Sequence, residues 1–225
     1  ETKQLNKLII VGASNLMILK LINAINREEN KFEPIGFIDD DKRQQGKEHH
    51  GIPVIGEINE ETISKCSKDV LYIVNILGGK IETRINLIKR LDSFGVKYAT
   101  LFHPSIDMNY VKIGKNCILY QGIHLSFQVE IKDHCIITQG VKVGHDCMID
   151  DYCFIAPGAI LDSRINLSTG TIVGSGAIVL KGLNVGEMSF IGAGSVVVRN
   201  VPDHVTVFGN PAQVIMKGIR NRSTV

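Results

Sequence analysis

A six-residue period runs without interruption through the second half of the chain. From Ile113, every sixth residue is Leu119, Leu125, Ile131, Ile137, Val143, Ile149, Ile155, Leu161, Leu167, Val173, Val179, Val185, Ile191 and Val197, all aliphatic. If about 30% of positions held Ile, Leu or Val, such a run would arise by chance about once in several tens of millions of trials. Neither the 3.6-residue period of a helix nor the alternation of an amphipathic strand produces it. It fits a parallel β-helix in which each hexapeptide supplies one short strand and a turn, and three hexapeptides close a triangular coil around stacked aliphatics. Eighteen residues then make one coil, residues eighteen apart stack at an inter-strand spacing of ~4.8 Å, and the period spans five coils.

The same register assigns four of the five cysteines. Four residues beyond each aliphatic lies a second inward set, mostly small, which includes Cys117, Cys135, Cys147 and Cys153. Cys117, Cys135 and Cys153 are spaced by eighteen and should form one column of the core. Thiolates holding a metal must converge with open geometry, whereas a buried free cysteine behaves as a small hydrophobe. No metal site is expected. An odd number of cysteines spread over a long chain also fits reduced thiols better than a disulfide framework. Cys66, outside the repeat, carries no pattern.

Composition removes several function classes. The 225 residues are 44% hydrophobic and 21% charged, with a formal net charge of +2. That balance gives no electrostatic case for nucleic acid or an anionic membrane. Aromatics are 6% of the chain and tryptophan is absent, which argues against base-stacking platforms. The longest apolar runs fall short of the roughly 18–20 residues that span a bilayer, and ETKQLNK lacks the pattern of a signal peptide. The expectation is a soluble, cytoplasmic protein with no membrane insertion.

The first half reads differently. KLIIV (7–11) is an apolar run followed by the turn Gly12-Ala13-Ser14-Asn15; apolar residues then recur at helical spacing from Leu16 to Arg27, and PIGFIDDD (34–41) reads as a second strand. In such a β-α-β unit the first turn places backbone N–H groups at a helix N-terminus, a natural seat for a phosphate. Asp39 and Asp40 close the second strand, where an acid commonly meets a ribose or base edge. The dinucleotide fingerprint is incomplete, because Ser14 and Asn15 follow Gly12 where further glycines belong. VLYIVNI (70–76) suits a buried strand, residues 81–95 an amphipathic helix ending at Gly95, and VKYATLFHP (96–104) one more strand. Gly78-Gly79 would lie on the same carboxyl edge as Gly12 and Asp39, and His49 and His50 in a solvated loop. The expected division is a Rossmann-like α/β domain over 1–104 and a β-helix domain over 105–225.

Within the coils, VKVGHDCMID (141–150) singles out His145. Val143 and Cys147 face the core, so His145 and Asp146 must project from the surface. A surface histidine usually has no further role, and His124 and His134 lie in the coils too. His145 differs by its preceding Gly144, its adjacent carboxylate and the sequence that follows.

Those residues carry a resemblance. VGHDCMIDDYCFIAPGAIL, the N-terminal IIVGAS with GFIDDD, HPSI at 103–106 and the C-terminal VFGNPA resemble the left-handed β-helix sugar acetyltransferases, the sialic-acid O-acetyltransferase and sugar-nucleotide N-acetyltransferase family. The likeness covers roughly residues 7–217. It implies an acetyl-CoA-dependent enzyme, a homotrimer with the cofactor between adjacent prisms, and a sugar or sugar-nucleotide acceptor, most simply a nucleotide-linked 4-amino sugar. Acetylation of a sialic-acid-like hydroxyl is the alternative, and a non-catalytic trimeric scaffold is the rival of another class. The resemblance puts His145 in the general-base position with Asp146 as its carboxylate partner. An imidazole of unperturbed pKa ~6.5 is largely neutral at cytoplasmic pH and can take a proton from the attacking group. By position, backbone N–H groups of Asp162 and Ser163 are candidates for the thioester oxygen. Ala156, Gly174 and Gly192, eighteen apart, form a column without side chains that could admit a pantetheine arm. Pro211, in FGNPA, falls where the family closes over the CoA end, and Gly12, Ser14, Asn15, Asp39, Asp40 and Gly79 would hold the sugar nucleotide.

Overall fold

The structure, a computed structural model, describes residues 5–77 and 81–217. The chain separates into two compact units, Glu1–Leu101 and Phe102–Val225.

In the first unit, β1 (Asn6–Val11) leads through α1 (Met17–Glu29) to β2 (Phe32–Ile38), then β3 (Glu48–His49), β4 (Ile52–Gly56), α2 (Glu60–Ser64), β5 (Leu71–Val74), α3 (Ile81–Ser93) and β6 (Lys97–Tyr98). The sheet order is β3-β4-β2-β1-β5-β6. β1 pairs in parallel with both β2 and β5, and Leu8, Ile9, Ile10 and Val11 are all fully buried. A central parallel strand is covered on both faces, which explains an apolar run without alternation. α1 buries Ile18, Leu19, Leu21, Ile22 and Ile25 on one stripe, and the chain leaves it through Asn30 in the left-handed conformation at φ 46°. Because the order reverses at β1, a crevice opens at the carboxyl ends of β1 and β5.

Two expectations are corrected here. In KEHHG, His50 is exposed in a turn as expected, but His49 lies in β3, antiparallel to β4. Its Nε2 is 3.1 Å from Gln44 Oε1, and its ring meets Phe37 edge-on at 5.6 Å. The segment 96–104 is not one strand either. β6 extends the first sheet by pairing with β5, whereas β7 (Leu101–Phe102), through which the unit boundary runs, opens a sheet of the second unit. Two-residue strands bonded to different ladders cannot remain collinear.

From β8 (Lys112–Ile113) to β22 (Val196–Val197), a two-residue strand recurs every six residues. Each as far as β19 (Ile178–Val179) pairs in parallel with the strand eighteen residues on, as His124 with Lys142 and Leu125 with Val143. Three sheets result, one per prism face. Of the periodic aliphatics, all but Ile113 at the first coil are buried; a side chain so placed contributes about 1.5–3 kcal/mol relative to exposure. Three residues past each aliphatic but Val197 the chain turns through positive φ, at glycines such as Gly140 (φ 71°) and Gly158 (φ 70°) but also at Gln128 (φ 56°), Asp146 (φ 57°) and Arg164 (φ 59°). The coils end in a hairpin of β23 (Val205–Gly209) and β24 (Ala212–Lys217), turned at a cis Asn210–Pro211 bond.

Candidate active site

Val143 and Cys147 are each 1% exposed, so the three residues between them form the corner. The side chains of His145 and Asp146 are 42% and 41% exposed, and His145 Nδ1 lies 2.7 Å from Asp146 Oδ2. A carboxylate only accepts, so Nδ1 carries the proton and Nε2 keeps its lone pair for an incoming group. The left-handed turn at Asp146 bends the chain so that neighbouring side chains meet, and aspartate tolerates that conformation better than most. The backbone is fixed on both sides. Asp146 N–H donates to Phe127 O at 3.0 Å in the coil before, and His145 O accepts from Arg164 N–H at 2.8 Å in the coil after.

Gly144 is demanded by close approach. A Cβ there would sit 2.7 Å from Ser163 N and 2.8 Å from Asp162 C. His145 therefore follows a position at which the next coil presses directly on the backbone.

Cys147 does not join this site. Its thiol points inward and donates to Asp162 O at 3.0 Å. Burial raises its pKa above the ordinary thiol value, with the Ile165 N–H only partly opposing, which withholds the thiolate a nucleophile needs. The column of Cys117, Cys135 and Cys153 is buried in the core, Cys117 and Cys135 donating to Lys132 O and Asp150 O at 3.0 Å. Among the described residues no group of three His, Cys, Asp or Glu side chains is arranged to hold a metal.

The backbone donors expected for the thioester oxygen are both engaged. Asp162 N–H donates to Val179 O at 3.0 Å within the ladder. Ser163 N–H donates to Asp162 Oδ1 at 2.7 Å, a local side-chain bond that can be exchanged without opening the coil. Of the two, only Ser163 remains a candidate.

The side-chain-free column lies tight against the coil that follows it. Ala156, Gly174 and Gly192 are buried, and their N–H groups donate to Val173 O, Ile191 O and Val207 O, each at 2.8 Å. Their carbonyls accept from Ala159, Ala177 and Ser195. Glycine is required because a Cβ on Gly174 would fall 2.5 Å from Ala193 N, and one on Gly192 would fall 1.9 Å from Phe208 Cδ2. The exposed small residues of that corner lie further along, at Pro157-Gly158, Ser175-Gly176 and Ala193-Gly194. Pro211 is exposed at the tip of the terminal hairpin.

In the first unit the turn after β1 is held shut by its own acids. Asp39 Oδ2 accepts from Ala13 N–H at 2.7 Å and Oδ1 from Asp41 N–H at 2.8 Å. Of the N–H groups in that turn, the one of Ala13 is thus taken by a carboxylate. Asp40 is tied to Ile58 N–H at 2.9 Å and to Arg90 at 2.5 Å. Gly12 turns at φ 99° against Ile76 and Asn75. Ser14 is exposed at the mouth. Asn15 Oδ1 accepts from Met17 N–H at 3.2 Å at the start of α1. Gly79 lies outside the described residues.

Known proteins match this architecture. Residues 7–91 match the PglD N-terminal domain family. No curated protein matches in sequence. Among solved structures, the acetyltransferase domain of PglB from Neisseria gonorrhoeae FA1090, in complex with acetyl coenzyme A, superposes with a TM-score of 0.81 at 27% identity over 94% of this chain and 100% of that one. WeeI from Acinetobacter baumannii AYE gives 0.79 at 27% over 92% and 99%. Residues 7–91 thus match the PglD N-terminal domain family, and nearly the whole chain shares the fold of these acetyltransferase structures. PerB from Caulobacter crescentus, in complex with CoA and GDP-perosamine, has a similar structure, at 0.79 and 25% identity over 94% and 98%.

Two residues of the candidate sites escaped the sequence reading. Asn75, 2% exposed at the end of β5, donates to Asn15 O at 2.6 Å and accepts from Asn15 Nδ2 at 3.1 Å, tying the crevice edges together. A polar residue ending the run VLYIV was the available signal. Arg164 places Nε 4.0 Å from Asp146 Oδ2; its spacing of eighteen from Asp146 put it in the same column, but arginine at an exposed corner carries no mark of its own.

Proposed function

We propose that the chain transfers the acetyl group of acetyl-CoA to the amine of a nucleotide-linked amino sugar, with His145 as general base. The observation that carries this reading is the His145–Asp146 pair at 2.7 Å, which leaves Nε2 as the basic end on an exposed corner. The relatives whose structures hold acetyl coenzyme A, or CoA with GDP-perosamine, support the co-substrate and the acceptor class.

The acceptor nitrogen attacks the thioester carbon, forming the C–N bond, and Nε2 takes the proton that the nitrogen loses. Asp146 holds the ring and offsets the charge of the imidazolium. The tetrahedral intermediate collapses with loss of the CoA thiolate, to which the imidazolium returns the proton. Ser163 N–H would serve the oxyanion by exchanging the Asp162 carboxylate for the acyl oxygen. No acyl-enzyme is needed, in keeping with the inward thiol of Cys147. Gly12, Ser14, Asn15 and Asn75 line the crevice where the nucleotide would lie, held by neutral groups rather than by a phosphate loop.

A homotrimer is part of the proposal. One prism face presents Ile160, Ile178 and Val196 outward, with Leu180 and Val198 exposed beside them, an apolar row suited to a second copy. The small residues at 157–158, 175–176 and 193–194 occupy a different prism corner from His145, so a neighbour would supply the wall along which acetyl-CoA lies. Among the described residues no helix is long and apolar enough to cross a membrane, and acetyl-CoA dependence favours the cytoplasm.

The test is turnover of acetyl-CoA with a panel of nucleotide-linked and free amino sugars, read as thiol release. His145→Ala should lower kcat by about 10²–10⁴-fold. Retention of more than about a tenth of the wild-type rate would end the general-base role, and failure of the wild type to bind acetyl-CoA would favour the scaffold reading.

A further inference from the structure

Directly below His145 stands a pair of exposed aromatic rings that the proposed chemistry does not use. Phe127 precedes His145 by eighteen residues, and its carbonyl is bonded to Asp146 N–H at 3.0 Å, so the two side chains leave the same corner about one ~4.8 Å step apart. Tyr110 sits one coil lower again, in a left-handed turn at φ 61° that matches Gln128 and Asp146 in its column. The Tyr110 and Phe127 rings meet at 4.9 Å between centroids, tilted by 50°. Yet Tyr110 is 75% and Phe127 51% exposed.

Large rings held against each other in water keep apolar faces that gain free energy when covered. Two features say what covers them. The pair begins within one coil of Nε2, where the atom to be acetylated must lie, so the occupant is the molecule carrying the amine. That molecule is a pyranose about 5 Å across, whose axial C–H bonds make one face apolar, and such a face lies flat on an aromatic ring in the way offset ring pairs pack. The cations of this corner, Arg164, Lys181 and Arg199, all lie in the coils on the opposite side of His145, at steps of eighteen residues from Asp146 and His145. The phosphates of acetyl-CoA would be drawn toward those coils, which leaves the coils below His145 to the apolar ring of the acceptor.

We propose that Phe127 and Tyr110 form the platform on which the acceptor sugar rests, and that they set its orientation toward His145. The inference rests on the general-base reading of His145. The platform fixes the ring so that the amine, not a hydroxyl on another carbon, reaches Nε2. Phe127 is the inner member and carries the larger share; Tyr110 braces it and extends the surface.

The experiment is steady-state kinetics of the full-length chain with acetyl-CoA and the best amino-sugar acceptor, on the wild type and on Phe127→Ala, Phe127→Leu, Phe127→Tyr and Tyr110→Ala, with the mass of each species in solution. Phe127→Ala should raise the acceptor KM about 5–10-fold, and Tyr110→Ala about 2–4-fold, the range expected for loss of an aromatic contact. The KM for acetyl-CoA should stay within about twofold. Phe127→Tyr should restore the acceptor KM and Phe127→Leu should not, because leucine keeps apolar area but no ring face. The proposal is overturned if the acceptor KM is unchanged in Phe127→Ala, if the acetyl-CoA KM rises equally or alone, if leucine restores as well as tyrosine, or if Phe127→Ala changes the oligomeric state. An error in the general-base reading appears elsewhere, as turnover retained by His145→Ala, and leaves the KM pattern of the ring variants interpretable.

Discussion

Replacing Gly144 with alanine perturbs the coil beside His145 without removing a polar group. The new Cβ would lie 2.7 Å from Ser163 N, 2.8 Å from Asp162 C and 2.8 Å from Ser163 Oγ, where ordinary contacts begin at 3.4 Å. Relief requires the two coils to part locally by about 0.7 Å, since the obstructing atoms are backbone. The bonds that hold them, Gly144 N–H to Leu161 O at 2.8 Å and Arg164 N–H to His145 O at 2.8 Å, would stretch to about 3.5 Å, the limit of a useful hydrogen bond. Weakening two such bonds at about 1 kcal/mol each, together with overpacking, amounts to about 2–4 kcal/mol. Gly158→Ala is the control: its φ is 70° but nothing lies within 4 Å of a Cβ there, so only backbone strain of about 1–2 kcal/mol applies. Denaturant unfolding of the full chain should place Gly144→Ala below Gly158→Ala by about 1–2 kcal/mol. Its kcat should also fall by about tenfold or more, because a shift of His145 approaching 1 Å spoils its approach to the acceptor. A Gly144→Ala protein as stable as the Gly158→Ala control would refute the argument that glycine is required here by contact.

Asp146→Asn keeps the shape of the His145 partner but removes its charge, and kcat should fall by about tenfold, a modest figure because both side chains are well exposed to solvent; an unchanged rate would mean that the carboxylate does not support the imidazolium. Asp39→Ala frees Ala13 N–H in the turn after β1 and should cost about 1–2 kcal/mol in unfolding experiments, while Asp39→Asn, which keeps an acceptor oxygen, should cost less; equal effects would count against the bond as the cause. Cys117 and Cys135 have thiol pKa values raised above the ordinary range, the first mainly by its neighbour Cys135 and the second by burial. Above pH of about 8.5 the unfolded chain releases these protons while the folded chain keeps them, so stability should fall as pH rises, by about 1.4 kcal/mol per pH unit per thiol. Comparing unfolding at pH 7 and 10 in the wild type and in Cys117→Ala/Cys135→Ala tests this, and identical slopes would exclude the thiols.

The coil register was fully determined by the one-dimensional pattern. Side chains in a parallel β-helix repeat at a fixed step, so once Val143 and Cys147 are assigned inward, the exposure of His145 and Asp146 follows by alternation alone. The same logic placed the cysteines in the core. What the pattern could not decide were contacts between residues far apart in sequence, or between backbone groups whose use leaves no trace in residue type. Asp39 and Asp40 were legible as acids at the end of a strand, but only the folded turn engages them with Ala13 and Arg90. Gly174 and Gly192 were legible as a smooth column, yet only the next coil and Phe208 reveal that they are glycines because there is no room for anything else. The Asn75–Asn15 latch and the ring pair of Tyr110 and Phe127 exist through proximity in space. Sequence determined which face each residue of the prism takes, because periodicity fixes direction; tertiary structure decided which polar groups remain free for a ligand, because that depends on every partner the fold brings within reach.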